Sequence, residues 1–525
     1  MSVRHQRHSK LSTRIVLSVS KLIPHPFQLI PPPSVLMTSP ETVQFDPRRW
    51  LALVVVLCAT LLGVLDFLIV NIAMVSIKKD LGTTDAQVQL TVAGYGLAFA
   101  VCLITSGRLG DIYGRKKLFL IGMTGFTFAS ALCGAAHSPN QLIGFRILQG
   151  LLASAMSPQV LSIIQVSFPP EEKSLAFAIM GAITSVGSFI GNVFGGWLVG
   201  ANLFGLGWRP IFFVNLPIGI GALIAAWFLV RESKAPQAKS LDWIGVLLSG
   251  IGLFLLIFPL AEGREKGWPL WAFGCLAASV TVLCGFFAYE KQLKRRGGSP
   301  LVDVDLFQDR AFSSGLSAVL SLFSGMGAFA LTLTLFLQSG FKVSPQHTGL
   351  IFAPLPVGFL LASLLSVKIA QRVGPRILMW GLAVSFVAQA IMIAWIVGHG
   401  AGLNPYSLMP ILFLYGMGQG ATVPRLIGTV LTNVAPQNAG AASGVLTTTQ
   451  QVAFAIGVSV LGSVFFSGLG KLGDSADAAT YVRAFATVLT CNLALMTTTM
   501  FLLLKLTRVA SLHTTANHEV VTMEV

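Results

Sequence analysis

The sequence predicts an all-α integral membrane protein, and three observations carry that expectation. Of the 525 residues, 54% are hydrophobic and only 10% charged, with a mean hydropathy of +0.77. A soluble domain carries about 25% charged residues. Apolar runs of roughly 20 residues recur along the whole chain, each long enough to cross a hydrocarbon core of about 30 Å. The runs read as helices, because backbone groups in lipid must be satisfied within their own segment. The alternating short strands of a membrane barrel are absent.

Taken in order, the runs lie at about 50–74, 88–107, 118–136, 141–164, 174–199, 210–230 and 243–261, then 270–289, 312–338, 347–367, 376–397, 405–430, 443–468 and 483–505. That makes fourteen expected spans joined by short linkers, as antiparallel neighbours require. The linker at about 290–311 is longer and charged, with Gly297, Gly298 and Pro300. Residues 1–49 are basic, carry the cluster Pro31–Pro33, and read as a disordered cytoplasmic tail without a signal peptide. Met37 opens a short polar leader before Trp50 and is an alternative start.

Net charge is +15, with a pI near 9.8. The basic residues gather in the linkers of one side, which speaks for membrane orientation and against nucleic acid. Lys78, Lys79, Arg209, Arg264, Lys266, Lys342, Lys471 and Arg483 fall outside, Arg146 falls within a span, and the other basic residues fall inside. By the positive-inside bias, both termini are cytoplasmic and the chain is a multi-pass protein of the plasma (inner) membrane. Cys58, Cys102, Cys133, Cys275, Cys284 and Cys491 lie in apolar runs without metal-ligand spacing and read as packing residues. The eight histidines fall in tails or loops, so no metal site is expected. No Walker A, H-E-x-x-H or G-x-S-x-G string occurs, which argues against an ATPase, a metalloprotease and a serine hydrolase.

Asp66 is the one acid that lies well inside an expected span. Carboxylates in hydrocarbon are costly and usually face a cavity and do work. An acid withdrawn from water favours its neutral form, so it can take a proton from one side and yield it to the other. A fixed ion pair is the alternative. Arg146 is the one basic residue well within a span, followed by Gln149 and Gly150 on the same helix face. A guanidinium stays charged and needs a carboxylate, carbonyls or water, which makes Asp66 its candidate partner. A snorkelling arginine is the alternative.

Span 5 carries Gly187, Gly191 and Gly195 at steps of four, a smooth face for close helix contact. Between spans 2 and 3 lies Gly107–Lys117, G-R-L-G-D-I-Y-G-R-K-K, a charged turn. Polar or aromatic groups at membrane depth, Asn71, Gln149, Asn215, Phe329 and Gln338, are candidate substrate contacts. A weak internal repeat relates Ser106–Leu118 to Ser366–Leu378, with Arg108 matching Lys368, Gly114 matching Gly374, and Gln371 standing where Asp111 stands. Gln149-Gly150 recurs as Gln419-Gly420.

Gly107–Lys117 resembles the signature loop of the major facilitator superfamily. Leu65–Ala73 (L-D-F-L-I-V-N-I-A), Arg146–Gly150 (R-I-L-Q-G), Gly187–Gly196 (G-S-F-I-G-N-V-F-G-G), Trp208–Gly219 and Leu241–Gly245 resemble signatures of its fourteen-span drug:proton antiporter branch. The resemblance covers about residues 50–505. It implies an N-terminal six-helix half at 50–230, two inserted helices and a central cytoplasmic loop at 231–311, a C-terminal six-helix half at 312–505, and a cytoplasmic tail at 506–525. It assigns Asp66 and Arg146 to proton coupling. Gly107, Arg108, Asp111, Gly114 and Arg115 would form an asymmetric latch, and Gly187, Gly191, Asn192, Gly195 and Gly196 an antiporter helix-packing motif. The family usually has proline where Asn192 stands.

The expected activity is proton-coupled export of lipophilic, including cationic, drugs by alternating access. The expected protein is no enzyme, has no cofactor beyond the proton gradient, and works as a monomer in the lipid bilayer. Its partners would be protons and a small lipophilic substrate, without nucleic acid. A periplasmic adaptor protein is compatible with this reading, although the short external loops carry no docking domain. The rival readings are an exporter or symporter of one metabolite or siderophore, and a non-transporting membrane sensor or partner protein.

Overall fold

Helix is the only regular structure among the described residues, as apolar runs with internally satisfied backbones require. The computed structural model describes residues 46–523, apart from 202–204, 236–239, 264–265, 433 and 471–475. The expectation of disorder for 1–49 therefore falls largely outside the described residues. The first six helices are α1 (Arg49–Leu81), α2 (Asp85–Tyr113), α3 (Arg115–Gly134), α4 (Pro139–Ser167), α5 (Pro170–Gly200) and α6 (Pro210–Leu229, interrupted at Val214). Two more follow, α7 (Trp243–Glu262) and α8 (Leu270–Arg295). The last six are α9 (Arg310–Leu335), α10 (Pro345–Val373, interrupted at Ala353), α11 (Ile377–His399), α12 (Met409–Thr432), α13 (Ala439–Leu469) and α14 (Ala478–Met523).

These helices match the fourteen expected spans one for one. Thirteen are long and apolar enough to cross a membrane by length and composition. The one outside that set is α12. Its Gly416, Gly418, Gln419, Gly420 and Thr422 lower its hydropathy, and all five are buried in the bundle. Several helices run further than the apolar pattern suggests: α1 reaches Leu81, α2 reaches Tyr113, α8 reaches Arg295 and α14 reaches Met523. Gly107–Lys117 is therefore mostly helix, where a charged linker was expected. Gly114 alone makes the turn, at φ +116°, a conformation that side-chain-bearing residues rarely adopt.

The packing repeats. In the first half α1 packs on α5 and α6, α4 packs on α2 and α3, and α3 packs on α6. In the second half α9 packs on α13 and α14, α12 packs on α10 and α11, and α11 packs on α14. Each pair maps onto its mate by a shift of eight helices. The halves meet through α2 against α13 and α5 against α10, which the same shift also relates. The inserted helices α7 and α8 pair with each other, and α7 leans on both α2 and α13.

The repeated Gln-Gly step has the same structural use in both halves. A Cβ on Gly150 would lie 2.3 Å from the Tyr95 carbonyl oxygen, and one on Gly420 would lie 2.2 Å from that of Phe359. Each glycine lets the fourth helix of its half touch the backbone of the second, since only a residue without a side chain fits there. Gly420→Ala should cost about 1–3 kcal/mol by overpacking. Gly349→Ala, in a helix with open space around it, should be neutral or slightly stabilising. Thermal unfolding of the two variants in detergent checks the difference in sign.

Candidate functional site

α1 carries Asp66 into the interior of the first half, where it is fully buried. Arg146 of α4 donates to one carboxylate oxygen at 2.6 Å. The amide groups of Gln149 (α4) and Asn215 (α6) donate to the other, at 2.9 and 3.0 Å. The same two amides reach the Ser130 hydroxyl of α3, at 2.7 and 3.2 Å. Arg146 also donates to the Gln149 side-chain oxygen at 2.6 Å and to the Thr91 carbonyl of α2 at 3.3 Å. Its guanidinium lies over the Tyr95 ring at 4.2 Å, which supplies an aromatic face for a cation without water. Five helices of one half thus converge on one carboxylate.

The expected Asp66–Arg146 pair is present. The sequence reading grouped Gln149 and Asn215 with substrate contacts, whereas in the structure their amides are committed to Asp66. The side-chain partners of the pair named above all belong to the first half, so the pair lies within that half. At the interface between halves, where transporters with parallel halves hold substrate, α2 and α4 meet α13 and α5 meets α10.

A second polar site closes the bundle at the α2–α3 turn. The Asp111 carboxylate is fully buried and accepts from the backbone N–H groups of Gly440 and Ala441, both at 3.0 Å. These are among the first N–H groups of α13, and the local cap residue Asn438 gives them no side-chain bond. An anion from the other half therefore caps α13 at the positive end of its dipole. Arg115 donates to Asp111 at 2.7 Å and to the Pro436 carbonyl at 2.7 Å. Close by, Gln165 donates to the Leu431 carbonyl at 2.5 Å, and Ser162 to that of Ala439 at 3.2 Å. A Cβ on Gly107 would lie 2.2 Å from the Gly440 carbonyl oxygen, so α2 and α13 touch backbone to backbone. Glu232 accepts from the N–H groups of Lys116 and Lys117 and caps α3. Arg108 turns away from Asp111 and donates to Ser299 at 2.7 Å, in the segment after α8. Gln371, the counterpart of Asp111 in the second half, is exposed.

At the other end, Asp80 accepts from the Trp208 indole at 2.9 Å and from Arg209 at 2.8 Å. The Trp208 bond, reinforced by Arg209, holds the Asp80 carboxyl below its usual range.

The span 5 glycines face α1. Cβ atoms on Gly187 and Gly191 would lie 3.3 Å from Leu61 and 3.1 Å from Leu68. Gly195 is buried, while the side chains of Asn71 and Asn192, and Gly196, lie outside the described residues. Phe329 stacks obliquely on Tyr415 at 4.6 Å in the interior of the second half. Gln338 is half-buried in the π-turn Phe336–Gly340 that ends α9.

Two charges lie elsewhere than the sequence reading counted them. Glu290, assigned to a loop, is fully buried near the end of α8 and accepts the Val302 N–H at 3.2 Å. Arg425, counted with the cytoplasmic segments, lies inside α12 and donates to the Ser366 carbonyl at 2.6 Å. The sequence reading also passed over a buried uncharged cluster in the second half. There Tyr415 lies beside Gln419 and Asn492, and Gln419 is the repeat partner of Gln149. The Gln149–Gln419 match was the one available signal for it.

Fold and site define a multi-span helical membrane protein of two similar halves, with a buried ion-pair network in the first. The chain belongs to the Major Facilitator Superfamily, whose pattern it matches over residues 56–458. It is 41% identical over 456 residues to a probable actinorhodin transporter of Streptomyces coelicolor, covering 85% of this chain and 78% of that protein. It is 35% identical over 423 residues to the puromycin resistance protein pur8 of Streptomyces alboniger, covering 80% and 82% respectively. The solved structure of the human organic anion transporter MFSD10 (TETRAN) shares the fold at a TM-score of 0.59 and 18% identity, over 86% of this chain and 100% of that one.

Removing one member of a buried ion pair strands the other, at a cost of about 3–5 kcal/mol. Asp111→Ala should therefore lower thermal stability more than Gln371→Ala, whose side chain is exposed. Differential scanning fluorimetry in detergent would separate the two.

Proposed function

We propose that this chain is a proton-coupled exporter of lipophilic compounds, of the fourteen-span drug:proton antiporter type, working by alternating access in the plasma membrane. One observation carries the proton coupling: the carboxylate of Asp66 is buried and bonded by Arg146, Gln149 and Asn215, donors from two other helices. The printed names of the relatives, an actinorhodin transporter and a puromycin resistance protein, support drug or antibiotic export.

The arrangement supplies a mechanism. An ionised Asp66 accepts from every group around it. A protonated one carries an O–H among donors, and that O–H needs an acceptor. Acceptors in its network are the side-chain oxygens of Gln149 and Asn215 and the Ser130 hydroxyl, and the turning of an amide would present one of them. Protonation also removes the charge that Arg146 faces, leaving a guanidinium among aromatic rings and carbonyls. Both effects act on α4 and α6 relative to α1, and α1 lies on the glycine face of α5. α5 in turn meets the second half at α10. A proton on Asp66 would thus be felt at an interface between halves.

In this reading the Asp111 end faces the cytoplasm, both termini lie there, and the closed contact of α2 with α13 is a latch. The state described has its cytoplasmic side shut. Asp111, Arg115 and the backbone contact at Gly107 hold that state, and its asymmetry follows from the exposed Gln371. The functional unit is the single chain, without a cofactor. A periplasmic adaptor protein is not required by any feature of the bundle.

The purified protein in weakly buffered detergent should release protons when lipophilic cations and neutral drugs are added. Asp66→Asn should release none while keeping its helical content, at a lowered unfolding temperature because buried Arg146 loses its counter-charge, and Asp66→Glu should retain release. Proton-coupled flux persisting in folded Asp66→Asn would refute the assignment. Release by one compound alone would favour a narrow-substrate carrier, and release by none would favour a non-transporting role.

A further inference from the structure

The inserted helices and the bundle surround a cavity of about 400 Å³, lined by none of the residues of the Asp66 network. α7 and α8 form one wall, α9 another, and Ile104 of α2 with Val445 of α13 the back. No charged side chain lines it, and its surface is almost wholly apolar. That volume falls within the range of about 300–1,000 Å³ for sites that take drug-sized ligands. Its mouth lies between α8 and α9, where Phe287, Ser317 and Leu320 are exposed on the face that a bilayer would cover.

Two features specify an occupant. The first is an aromatic ladder. Phe286 and Phe287 meet edge to face at 5.3 Å, and Phe287 and Phe307 at 5.4 Å, and all three line the cavity. Ring edges and faces so arranged favour another ring. The second is the Thr448 hydroxyl. The residue lines the cavity and is 4% exposed, and its buried hydroxyl has no hydrogen-bond partner. Its neighbours Thr447 and Thr449 both donate back to the carbonyl four residues earlier. An unpaired buried hydroxyl costs stability until something bonds it. A phospholipid acyl chain would fill the volume and leave Thr448 unpaired.

We propose that this cavity binds neutral, lipophilic aromatic molecules carrying one hydrogen-bonding oxygen or nitrogen, which meet Thr448 while their rings pack on the phenylalanine ladder. The guest would touch both helices of the α2–α13 contact, with Ile104 one turn from the Gly107 contact with Gly440. The cavity is also bounded by Val302, whose segment is tied to Arg108 through Ser299. The binding claim is independent of proton coupling, and it assigns the inserted helices a role as walls of a second ligand site.

Benzophenone is a suitable probe, being a neutral aromatic ketone that attaches to nearby C–H bonds under ultraviolet light. The full chain in phospholipid nanodiscs would be irradiated with it and the attachment sites mapped by peptide mass spectrometry. Attachment should concentrate on Leu253, Leu283, Leu316 and Val452. Ser317→Trp, which places a ring at the exposed mouth, should abolish it. Thr448→Val, which keeps the shape and removes the hydroxyl, should weaken half-saturation by about 5-fold, the worth of one hydrogen bond. Attachment spread evenly over lipid-facing positions, or unchanged in both variants, would overturn the proposal. So would a co-purified phospholipid that Ser317→Trp releases and benzophenone does not displace. Because binding is read without flux, failure here would leave the exporter reading standing.

Discussion

A carboxylate removed from water must be held by donors from its own protein, and Asp66 organises the first half around that requirement. An isolated ionised carboxylate in a low-dielectric setting costs many kcal/mol. It persists here because Arg146, Gln149 and Asn215 all donate to it. The donors must come from helices distant in sequence, so the order of packing in this half follows from where they sit. α4 has to face α1 at the level of Asp66. α6 has to begin where Asn215 can reach, just past the break at Val214. α3 supplies Ser130 as the shared second acceptor. A buried ion pair of this kind is weak evidence for stability, since well-packed apolar residues would serve as well.

The same electrostatic rule operates at the other polar site with a different partner. Asp111 is balanced by Arg115 on its own side and by the N-terminal dipole of α13 across the interface. Two of its three hydrogen bonds therefore depend on the two halves being in contact. When the halves separate at that end, Asp111 loses two backbone donors and α13 loses its cap. A contact whose energy resides in one relative placement of two bodies can favour one conformation over another. The network at Asp66 lacks that property, because its partners travel with it inside one half. The two acidic sites thus differ in where their partners sit, within one half for Asp66 and across two for Asp111.

Glycine makes both arrangements sterically feasible. Gly150 and Gly420 bring the fourth helix of each half onto the second, Gly187 and Gly191 set α5 against α1, and Gly107 brings α2 onto α13. Without aqueous hydrophobic driving force, helices in lipid associate through close van der Waals contact, which small residues permit. The inserted pair α7–α8 departs from this pattern. It lines an aromatic-walled space against the bundle.

Composition and run length determined the membrane class and the helix count, because the bilayer imposes both on any sequence that spans it. Asp66 and Arg146 stood out in the sequence because charges are rare in such runs, and their pairing followed from need. The limits of the spans were less legible. Hydropathy falls where charges begin, yet a helix continues wherever those charges find partners. Asp111 and Glu290 therefore looked like loop residues and proved to be helical and buried. Gln149 and Asn215 were visible as polar groups at depth, but their partner was not, since hydrogen bonding between α4, α6 and α1 depends on helix rotation that no linear pattern records. The sequence by itself determined how many helices there are and which charges are expensive. Only the tertiary structure decided which donors neutralise each charge, and whether they lie within one half or across two, because that depends on distances between helices that are remote along the chain.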